Sequence, residues 1–267
     1  MQTWNDVRST SLGMATSATI FTPQAMGDPG SRKPGLLILL HGLAGNHATW
    51  EVRADLQSLA GKHHLVFALP DGARSFWLDQ AVGLRWGTWV GEEFPALVRA
   101  TLGISKARCD TFIGGLSMGG YGAMRAALDH PETFAGALSL SGTLDVAEAA
   151  FRERHPDLYE VGFGHPSHPR PEDDLVARLN GFAGKPPRPV KDLRLFATCG
   201  REDRLLKQSR RFHAAARSAG LNLTYQEGPG AHNFRFWNEW LPRALDALVG
   251  LPRRGEERRC ANGAPPH

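Results

Sequence analysis

The sequence predicts an α/β fold, built around a mainly parallel sheet with helices on both faces. Strand-like and helix-like segments alternate along most of the 267 residues, which is typical of that class. The segment Gly35–Leu40 (GLLILL) is apolar on both faces, as expected of a strand buried in a parallel sheet. Hydrophobic residues make up 42% and charged residues 22% of the chain, a balance that favours a folded globular domain over a disordered chain.

Further elements follow from the periodicity of the apolar residues. Strands are predicted at residues 64–68, 111–114, 135–140, 193–198 and 221–226. Helices are predicted over residues 52–61, 91–102, 118–130 and 206–220. Two early alternating segments, residues 10–12 and 15–21, are expected to form an antiparallel edge of the sheet.

The chain is predicted to fold as one domain over residues 1–251. Residues 145–190 break the alternation and contain seven of the 18 prolines. Because they lie between two predicted strands, we expect a lid-like excursion over the sheet rather than a second domain. Residues 252–267, which include the stretch RRGEERRCANGAPPH, are predicted to be a disordered basic tail.

Charge and cysteine content limit the partners and the compartment. The formal net charge is +4, but the basic residues are scattered, which indicates a solvated surface and no nucleic-acid partner. The most apolar stretch, residues 36–40, is far too short to cross a bilayer. The N-terminal segment lacks an uninterrupted apolar core, and the cysteines number three. These features predict a cytoplasmic protein with reduced thiols and no membrane partner.

One motif carries the chemistry. Residues 115–119 read Gly-Leu-Ser-Met-Gly, which fits G-x-S-x-G, between an apolar strand and a predicted helix. That strand–turn–helix context is the nucleophile elbow of α/β-hydrolases, which exposes the serine above the sheet. Side chains at Gly115 and Gly119 would collide with backbone in so tight a turn, and the following helix N-terminus favours negative charge. Ser117 is therefore the candidate nucleophile.

A serine nucleophile needs a base, and in this fold the histidine comes last in the chain. His232 is the candidate, because it follows the last predicted strand in GPGAHNFRFW. Of the other histidines, His155, His165 and His168 lie in the proline-rich excursion. Their spacing matches no familiar metal-ligand pattern, so we expect no metal and no cofactor.

Two acids are candidates to orient the imidazole. Asp203 follows the strand at 193–198 in the turn GREDR, one strand before His232, and is preferred. Asp145, just after the strand ending at Leu140, is the alternative, and Asp203 could instead be a plain helix cap. The expected oxyanion donors are the backbone N–H groups of Met118, next to the nucleophile, and of Leu43, in the loop His41-Gly-Leu-Ala-Gly45.

The order of these motifs resembles a known family. LLHGLAGNHATW, ALPDG, FIGGLSMGGYGAMRAAL, SLSG, CGREDRL and AHNFRFW are similar to motifs of the putative-esterase family of α/β-hydrolases, over roughly residues 9–248. That family includes S-formylglutathione hydrolases, tributyrin-type esterases and bacterial mycolyltransferases. The resemblance, closest to the tributyrin esterases, implies a mostly parallel sheet of eight or nine strands.

The resemblance also implies roles for particular residues. It makes Ser117, Asp203 and His232 a catalytic triad, and Leu43 and Met118 the oxyanion donors. It further suggests a short acyl pocket walled by the three tryptophans at 77, 86 and 237 (Trp77, Trp86 and Trp237).

The expected function is hydrolysis of short-chain acyl esters, including some acetylated sugars, through an acyl-enzyme. The alternatives left open are an acyltransferase with the same triad and an S-formylglutathione-type thioesterase. A non-catalytic scaffold is disfavoured because all the parts are present. A peptidase is disfavoured because peptidases of this fold usually carry a further large domain.

Overall fold

A single eight-stranded sheet organises the part of the chain that the structure describes. The structure is a computed structural model and describes residues 1–24, 26, 32–165 and 167–250. The strands are β1 (Gln2–Ser9), β2 (Met14–Phe21), β3 (Gly35–Leu40), β4 (Leu65–Pro70), β5 (Thr111–Leu116), β6 (Gly136–Leu140), β7 (Arg194–Gly200) and β8 (Leu223–Gly228). Their order in the sheet is β1-β2-β4-β3-β5-β6-β7-β8. The two pairs involving β2 are antiparallel and the other five are parallel, which confirms the mostly parallel sheet.

Helices connect the parallel strands. They are α1 (Leu56–His63), α2 (Trp86–Thr88), α3 (Phe94–Leu102), α4 (Met118–Asp129), α5 (Ala149–Arg154), α6 (Pro156–Leu158), α7 (Leu175–Gly181), α8 (Leu206–Ser218) and α9 (Phe234–Val249). A π-helical turn, Trp89–Glu93, joins α2 to α3, and a second one, Tyr159–Phe163, follows α6. The predicted helices do not include α9, nor the short helices between β6 and β7. The tail predicted at 252–267 lies outside the described residues.

The core has two layers, one on each face of the sheet. In β3, Leu36, Ile38 and Leu40 face one layer and Leu37 and Leu39 the other, all of them fully buried. Helices α4, α7 and α8 pack in the first layer, whereas α1 and α9 pack in the second. Full burial of each large aliphatic side chain contributes roughly 1.5–3 kcal/mol. The helices on both faces therefore stabilise the sheet through buried apolar contacts.

The predicted strand at residues 10–12 is wrong. The first strand is β1, and residues 10–13 form the turn that leads into β2. The reason is the Glu93 carboxylate, which accepts hydrogen bonds from the Thr10 N–H at 2.7 Å, the Ser11 N–H at 2.9 Å and the Ser9 hydroxyl at 2.8 Å. These amides donate to a side chain instead of to a neighbouring strand.

Glu93→Gln is expected to destabilise the fold by about 1 kcal/mol at neutral pH, because charge-assisted bonds to this turn are lost. Burial alone would raise the pKa of Glu93, but the bonds from Ser11, Thr10 and Ser9 outweigh it and lower that pKa below its ordinary value of 4.5. The stabilising contribution is therefore present above the unfolded-state pKa and is lost as the pH falls through the lower folded-state pKa.

Urea unfolding of wild type and of Glu93→Gln across this pH range measures the effect. Glu92→Gln is the matched control, since the Glu92 side chain is 61% exposed and its basic neighbour in the described chain is the His130 imidazole at 3.7 Å. Equal stability of Glu93→Gln and wild type at neutral pH would contradict the prediction, as would a difference that persists at acid pH.

The segment between β6 and β7 is held against α4, the helix that follows Ser117. Asp173 is completely buried and its carboxylate pairs with Arg125 of α4 and with Arg170 at 2.6 Å. The Tyr121 hydroxyl, also on α4, donates to the Asp173 carbonyl at 2.8 Å. The lid-like excursion at residues 145–190 stays a prediction, and a movement that separates Asp173 from α4 would have to break this buried pairing.

Candidate active site

Ser117 stands on a sharp turn between β5 and α4. Its backbone has φ 53° and ψ −117°, a conformation that costs a non-glycine residue about 1–3 kcal/mol. A Cβ at Gly119 would lie 2.5 Å from the Leu40 carbonyl oxygen, and one at Gly115 would lie 2.5 Å from the Gly119 carbonyl. The steric reason that the sequence gives for these two glycines therefore holds in the structure.

His232 and Asp203 meet Ser117 at the carboxyl edge of the sheet. The His232 Nε2 atom lies 3.0 Å from the Ser117 Oγ atom. The His232 Nδ1 atom lies 2.9 Å from Asp203 Oδ2 and 3.1 Å from Oδ1. The two residues follow β8 and β7, which are parallel neighbours, so both loops emerge at the edge where β5 delivers the serine. The structure thus brings all three predicted side chains together.

The charge of Asp203 fixes the proton on the imidazole. The side chain is fully buried, and burial raises its pKa, but the hydrogen bond and charge of His232 and the Leu205 N–H outweigh burial and lower it. An ionised acceptor at Nδ1 places the ring proton on that nitrogen, so Nε2 is left to accept the hydrogen bond of the Ser117 hydroxyl. Nε2 of His232 is thus placed to accept a proton from Ser117.

Asp145, the alternative acid, points to another partner. Its carboxylate pairs with the Arg211 guanidinium, and its backbone N–H donates to Gln208 at 3.4 Å. Asp203 does not cap α8, because the N-cap residue is Leu205 and no side chain caps that helix. Asp203 Oδ1 instead accepts the Leu205 N–H at 2.9 Å, in the turn before the helix, while the same carboxylate contacts His232.

The loop after β3 approaches the serine closely. A Cβ at Gly42 would lie 3.5 Å from the Ser117 Cβ, an ordinary van der Waals contact, and 2.7 Å from a Leu116 methyl carbon, which would have to move to admit a larger residue. Among the described residues, neither the Leu43 N–H nor the Met118 N–H has a hydrogen-bond acceptor. Neither amide is therefore committed to another acceptor; Met118 follows Ser117 directly in the chain and Leu43 follows Gly42.

His41 holds this loop, a role the sequence did not reveal. The buried imidazole bonds through Nδ1 to the Gly42 carbonyl at 2.7 Å and accepts the Gly72 N–H at Nε2, 3.1 Å away. A carbonyl only accepts and an amide N–H only donates, so the ring carries its proton on Nδ1. The Trp77 Nε1–H also donates to the His41 carbonyl at 3.3 Å. Both contacts fix the backbone directly before Leu43.

A cavity of about 670 Å³ opens onto Ser117 and His232. Its described wall includes Leu43 and Trp237, and the Trp237 ring lies edge-on to His232 with centroids 5.0 Å apart. Trp77 and Trp86 are not among the lining residues; they are 1% and 6% exposed and pack in the core. The expectation that these two tryptophans wall the pocket is corrected accordingly: Trp77 acts behind the loop, on His41.

The remaining features to consider are the Cys199 thiol, metal binding and membrane spans. Cys199 is a buried free thiol, and burial together with the nearby Asp203 charge raises its pKa to about 12, so it stays protonated at neutral pH. In the part of the chain that the structure describes, no three His, Cys, Asp or Glu residues are grouped to hold a metal ion. Within the same ranges, no helix has the length and apolar character of a membrane span.

Comparisons with known proteins identify the family of the chain. The model of the family described as Putative esterase matches residues 9–248. The chain belongs to the putative esterase family. A relative, an acetyl esterase of Caldicellulosiruptor saccharolyticus, is 32% identical to this esterase over 222 residues, covering 79% of the chain and 81% of the relative.

Solved structures are similar over nearly the whole esterase. A fluorophosphonate-binding serine hydrolase F of Staphylococcus aureus has a TM-score of 0.81 at 25% identity, covering 93% of this chain and 97% of its own. An S-formylglutathione hydrolase of the same organism has a TM-score of 0.78 at 25% identity, covering 93% and 98%. The fold is that of the α/β-hydrolases, and the protein is a carboxylic ester hydrolase of the serine hydrolase type.

Proposed function

We propose that this esterase hydrolyses short-chain acyl esters through a Ser117–His232–Asp203 triad and an acyl-enzyme. The observation that carries the proposal is the unbroken contact from Asp203 through His232 to Ser117, with distances of 2.9 and 3.0 Å. A serine hydroxyl is a poor nucleophile until a positioned base accepts its proton. In this site Asp203 contacts His232 and His232 contacts Ser117 before any substrate binds. The His232 tautomer that can accept the serine proton is already in place.

Acylation begins at the Ser117 oxygen. Oγ attacks the ester carbonyl carbon while His232 Nε2 takes its proton, which gives a tetrahedral intermediate and an imidazolium beside the Asp203 carboxylate. The imidazolium then protonates the alkoxide leaving group, so the ester C–O bond breaks and an alcohol departs. The acyl group remains bound to Ser117 as an ester.

Deacylation repeats the sequence with water. His232 takes a proton from water as the water oxygen attacks the acyl carbon. The same imidazole returns the proton to Ser117 Oγ when the carboxylic acid leaves. The free Leu43 and Met118 N–H groups stabilise the negative oxygen in both intermediates, and each such donor contributes roughly 10²- to 10³-fold in rate.

Small acyl groups are the proposed substrates. The named activity of the 32%-identical relative is that of an acetyl esterase, and the cavity is open to solvent along a wall of mixed polar and apolar residues, including Asn46, Thr49, Asn233 and Phe234. A long acyl chain needs a continuous apolar channel, because each buried methylene gains about 0.8 kcal/mol only where it leaves water. The S-formylglutathione hydrolase at 25% identity makes a small thioester a second candidate substrate.

With p-nitrophenyl esters, kcat/KM is expected to be higher for acetate and butyrate than for palmitate, because the described wall mixes polar and apolar side chains. Release of p-nitrophenol measures the series. Pretreatment with one equivalent of a fluorophosphonate should abolish hydrolysis of all three esters and add its mass to the peptide that contains Ser117. A preference for palmitate would overturn the short-chain proposal, and full activity after complete labelling elsewhere would overturn the assignment of the nucleophile.

A further inference from the structure

The cavity that opens onto Ser117 has an uneven charge distribution. Its described lining includes the two arginines Arg53 and Arg204 but no aspartate and no glutamate. The acid nearest the chemistry, Asp203, is fully buried behind His232 and already paired with it. An entering ligand therefore meets positive charge without a compensating carboxylate.

The two guanidinium groups are free to bind a ligand. In the described ranges, neither the Arg53 nor the Arg204 side chain makes a hydrogen bond or an ion pair. Arg53 is instead held by an aromatic contact, with its guanidinium carbon 5.1 Å from the centroid of the Phe234 ring. A guanidinium that rests on a ring face is partly ordered, and the N–H groups along its edge stay available for an in-plane acceptor.

That aromatic contact links Arg53 to the catalytic base. Phe234 packs edge-on against Trp237 with centroids 4.9 Å apart, and Trp237 packs in the same way against His232 at 5.0 Å. Arg204 reaches the cavity from another element, since it follows Asp203 directly in the chain. The two cations thus approach one cavity from the loop before α1 and from the turn after β7.

The asparagines of the same wall also present donors. The Asn46 Oδ1 atom accepts the Ala48 N–H at 3.0 Å, and the Asn233 Oδ1 atom accepts the Phe236 N–H at 3.2 Å. Each Oδ1 is thus oriented toward a backbone amide, and in the described chain the NH₂ group of each side chain has no acceptor and is available to donate to a ligand. Guanidinium and amide donors together match a ligand that offers several acceptor oxygens.

We propose that the natural ester carries a carboxylate or a similar anionic group, which Arg53 and Arg204 bind while its carbonyl lies at Ser117. The proposal rests on the proposed function and deepens it by naming the substrate class. A neutral short-chain ester can only accept hydrogen bonds from the oxyanion donors. An anionic ester accepts the same bonds and also forms ion pairs with the two guanidinium groups. Attraction between the cavity and the anion also raises the rate of encounter at low ionic strength.

Two matched pairs of esters test the proposal and locate the anion. The pair p-acetoxybenzoate and its methyl ester places the charge on the alcohol side. The pair mono(p-nitrophenyl) succinate and p-nitrophenyl butyrate places it on the acyl side, with spontaneous hydrolysis subtracted. For each pair, the ratio of kcat/KM for the anionic ester to that for the neutral ester is measured in wild type, Arg53→Gln and Arg204→Gln. Dividing each variant ratio by the wild-type ratio cancels the intrinsic reactivity of the esters.

In at least one pair, each replacement is expected to lower the ratio by about fivefold, the upper range for a solvent-exposed ion pair. The wild-type ratio should also fall as salt rises from about 0.01 M to about 1 M, where the screening length shrinks from roughly 30 to 3 Å. Arg201→Gln is the matched control, because Arg201 lies in the same turn as Arg204 and does not line the cavity.

Ratios that stay within twofold of wild type in both pairs would overturn the proposal, as would an equal fall in Arg201→Gln. The outcome is separable from the proposed function. If the neutral esters are hydrolysed equally well by wild type and by Ser117→Ala, the triad fails. If they require Ser117 but the ratios are insensitive to both arginines, only the anionic substrate class fails.

Discussion

Ser117→Ala is expected to lower kcat for p-nitrophenyl acetate by on the order of 10⁵- to 10⁶-fold, because the attacking oxygen is removed. The fold should be retained, since alanine loses only a hydroxyl and meets the same backbone strain at φ 53°. Steady-state kinetics with thermal unfolding as a companion measurement checks both statements. Fluorophosphonate labelling of the same peptide should disappear together with the activity.

The side chains of Ser117, His232 and Asp203 are expected to act as one catalytic unit. His232→Ala should cost about as much as Ser117→Ala, and the double variant should be no worse than either single variant, because the proton transfer is lost in each case. About 10³-fold of rate over water should remain, owing to the Leu43 and Met118 amides and to substrate binding.

Ser139→Ala is the matched control. Ser139 is a buried serine of β6 whose hydroxyl has no hydrogen-bond partner in the described chain, so its removal should leave kcat within a few-fold of wild type. Additive losses in Ser117→Ala and His232→Ala would contradict the idea of a single proton relay. A Ser117→Ala enzyme with near wild-type kcat would refute the nucleophile.

The local parts of the site could be predicted from sequence because their causes are local. The turn around Ser117 is dictated by an apolar strand, a helix pattern and two glycines whose absent side chains make room for backbone. Both the first and the last residues of strands β5 to β8 lie within two residues of the predicted boundaries. Parallel strands deliver their following loops to one edge, so Asp203 and His232 could be placed beside the serine from chain order alone.

Long-range side-chain partners could not be predicted in this way. The Ser9–Ser11 turn is formed by Glu93, which lies more than 80 residues away in the sequence. The buried Asp173 pairs with Arg125 across the fold, although its own surroundings in the chain look like a solvated loop. In both cases a single carboxylate stabilises the local structure through a contact between distant parts of the chain. The local sequence does not indicate that contact.

Helix α9 is missing from the predicted helices for a different reason. Its buried residues Phe236, Trp240, Ala244 and Leu248 recur every four positions, so the periodic signal is present in the sequence. Pro242 lies in the middle of that pattern and is a helix breaker in most contexts. Here the apolar face, packed against β6 and β7, outweighs the hydrogen bond that the proline cannot make.

The aromatic residues show why composition is a poor guide to a pocket wall. Trp77 and Trp86 lie ahead of the helix that carries Glu93 and are as apolar as Trp237, yet only Trp237 reaches the cavity. Trp77 instead packs in the core, where its ring N–H donates to the His41 carbonyl. Arg53 and Arg204, which the sequence presents as ordinary surface cations, line the cavity instead.

Asp203→Asn is expected to lower kcat by about 10⁴-fold while the fold persists. The Leu205 N–H already donates to Oδ1, so an asparagine keeps its oxygen there and turns its NH₂ toward His232 Nδ1. An N–H donor facing Nδ1 moves the imidazole proton from Nδ1 to Nε2. A protonated Nε2 can no longer accept the proton of the Ser117 hydroxyl. The loss therefore comes from the wrong tautomer rather than from a missing contact.

Asp145→Asn removes the same charge from the other candidate acid and is the matched control. Its partner is Arg211, so stability should fall modestly while kcat stays within a few-fold of wild type. The opposite pattern, a disabled Asp145→Asn and an active Asp203→Asn, would transfer the orienting role to Asp145. Because the two carboxylates follow neighbouring strands, the comparison separates the role from the mere presence of negative charge at this edge of the sheet.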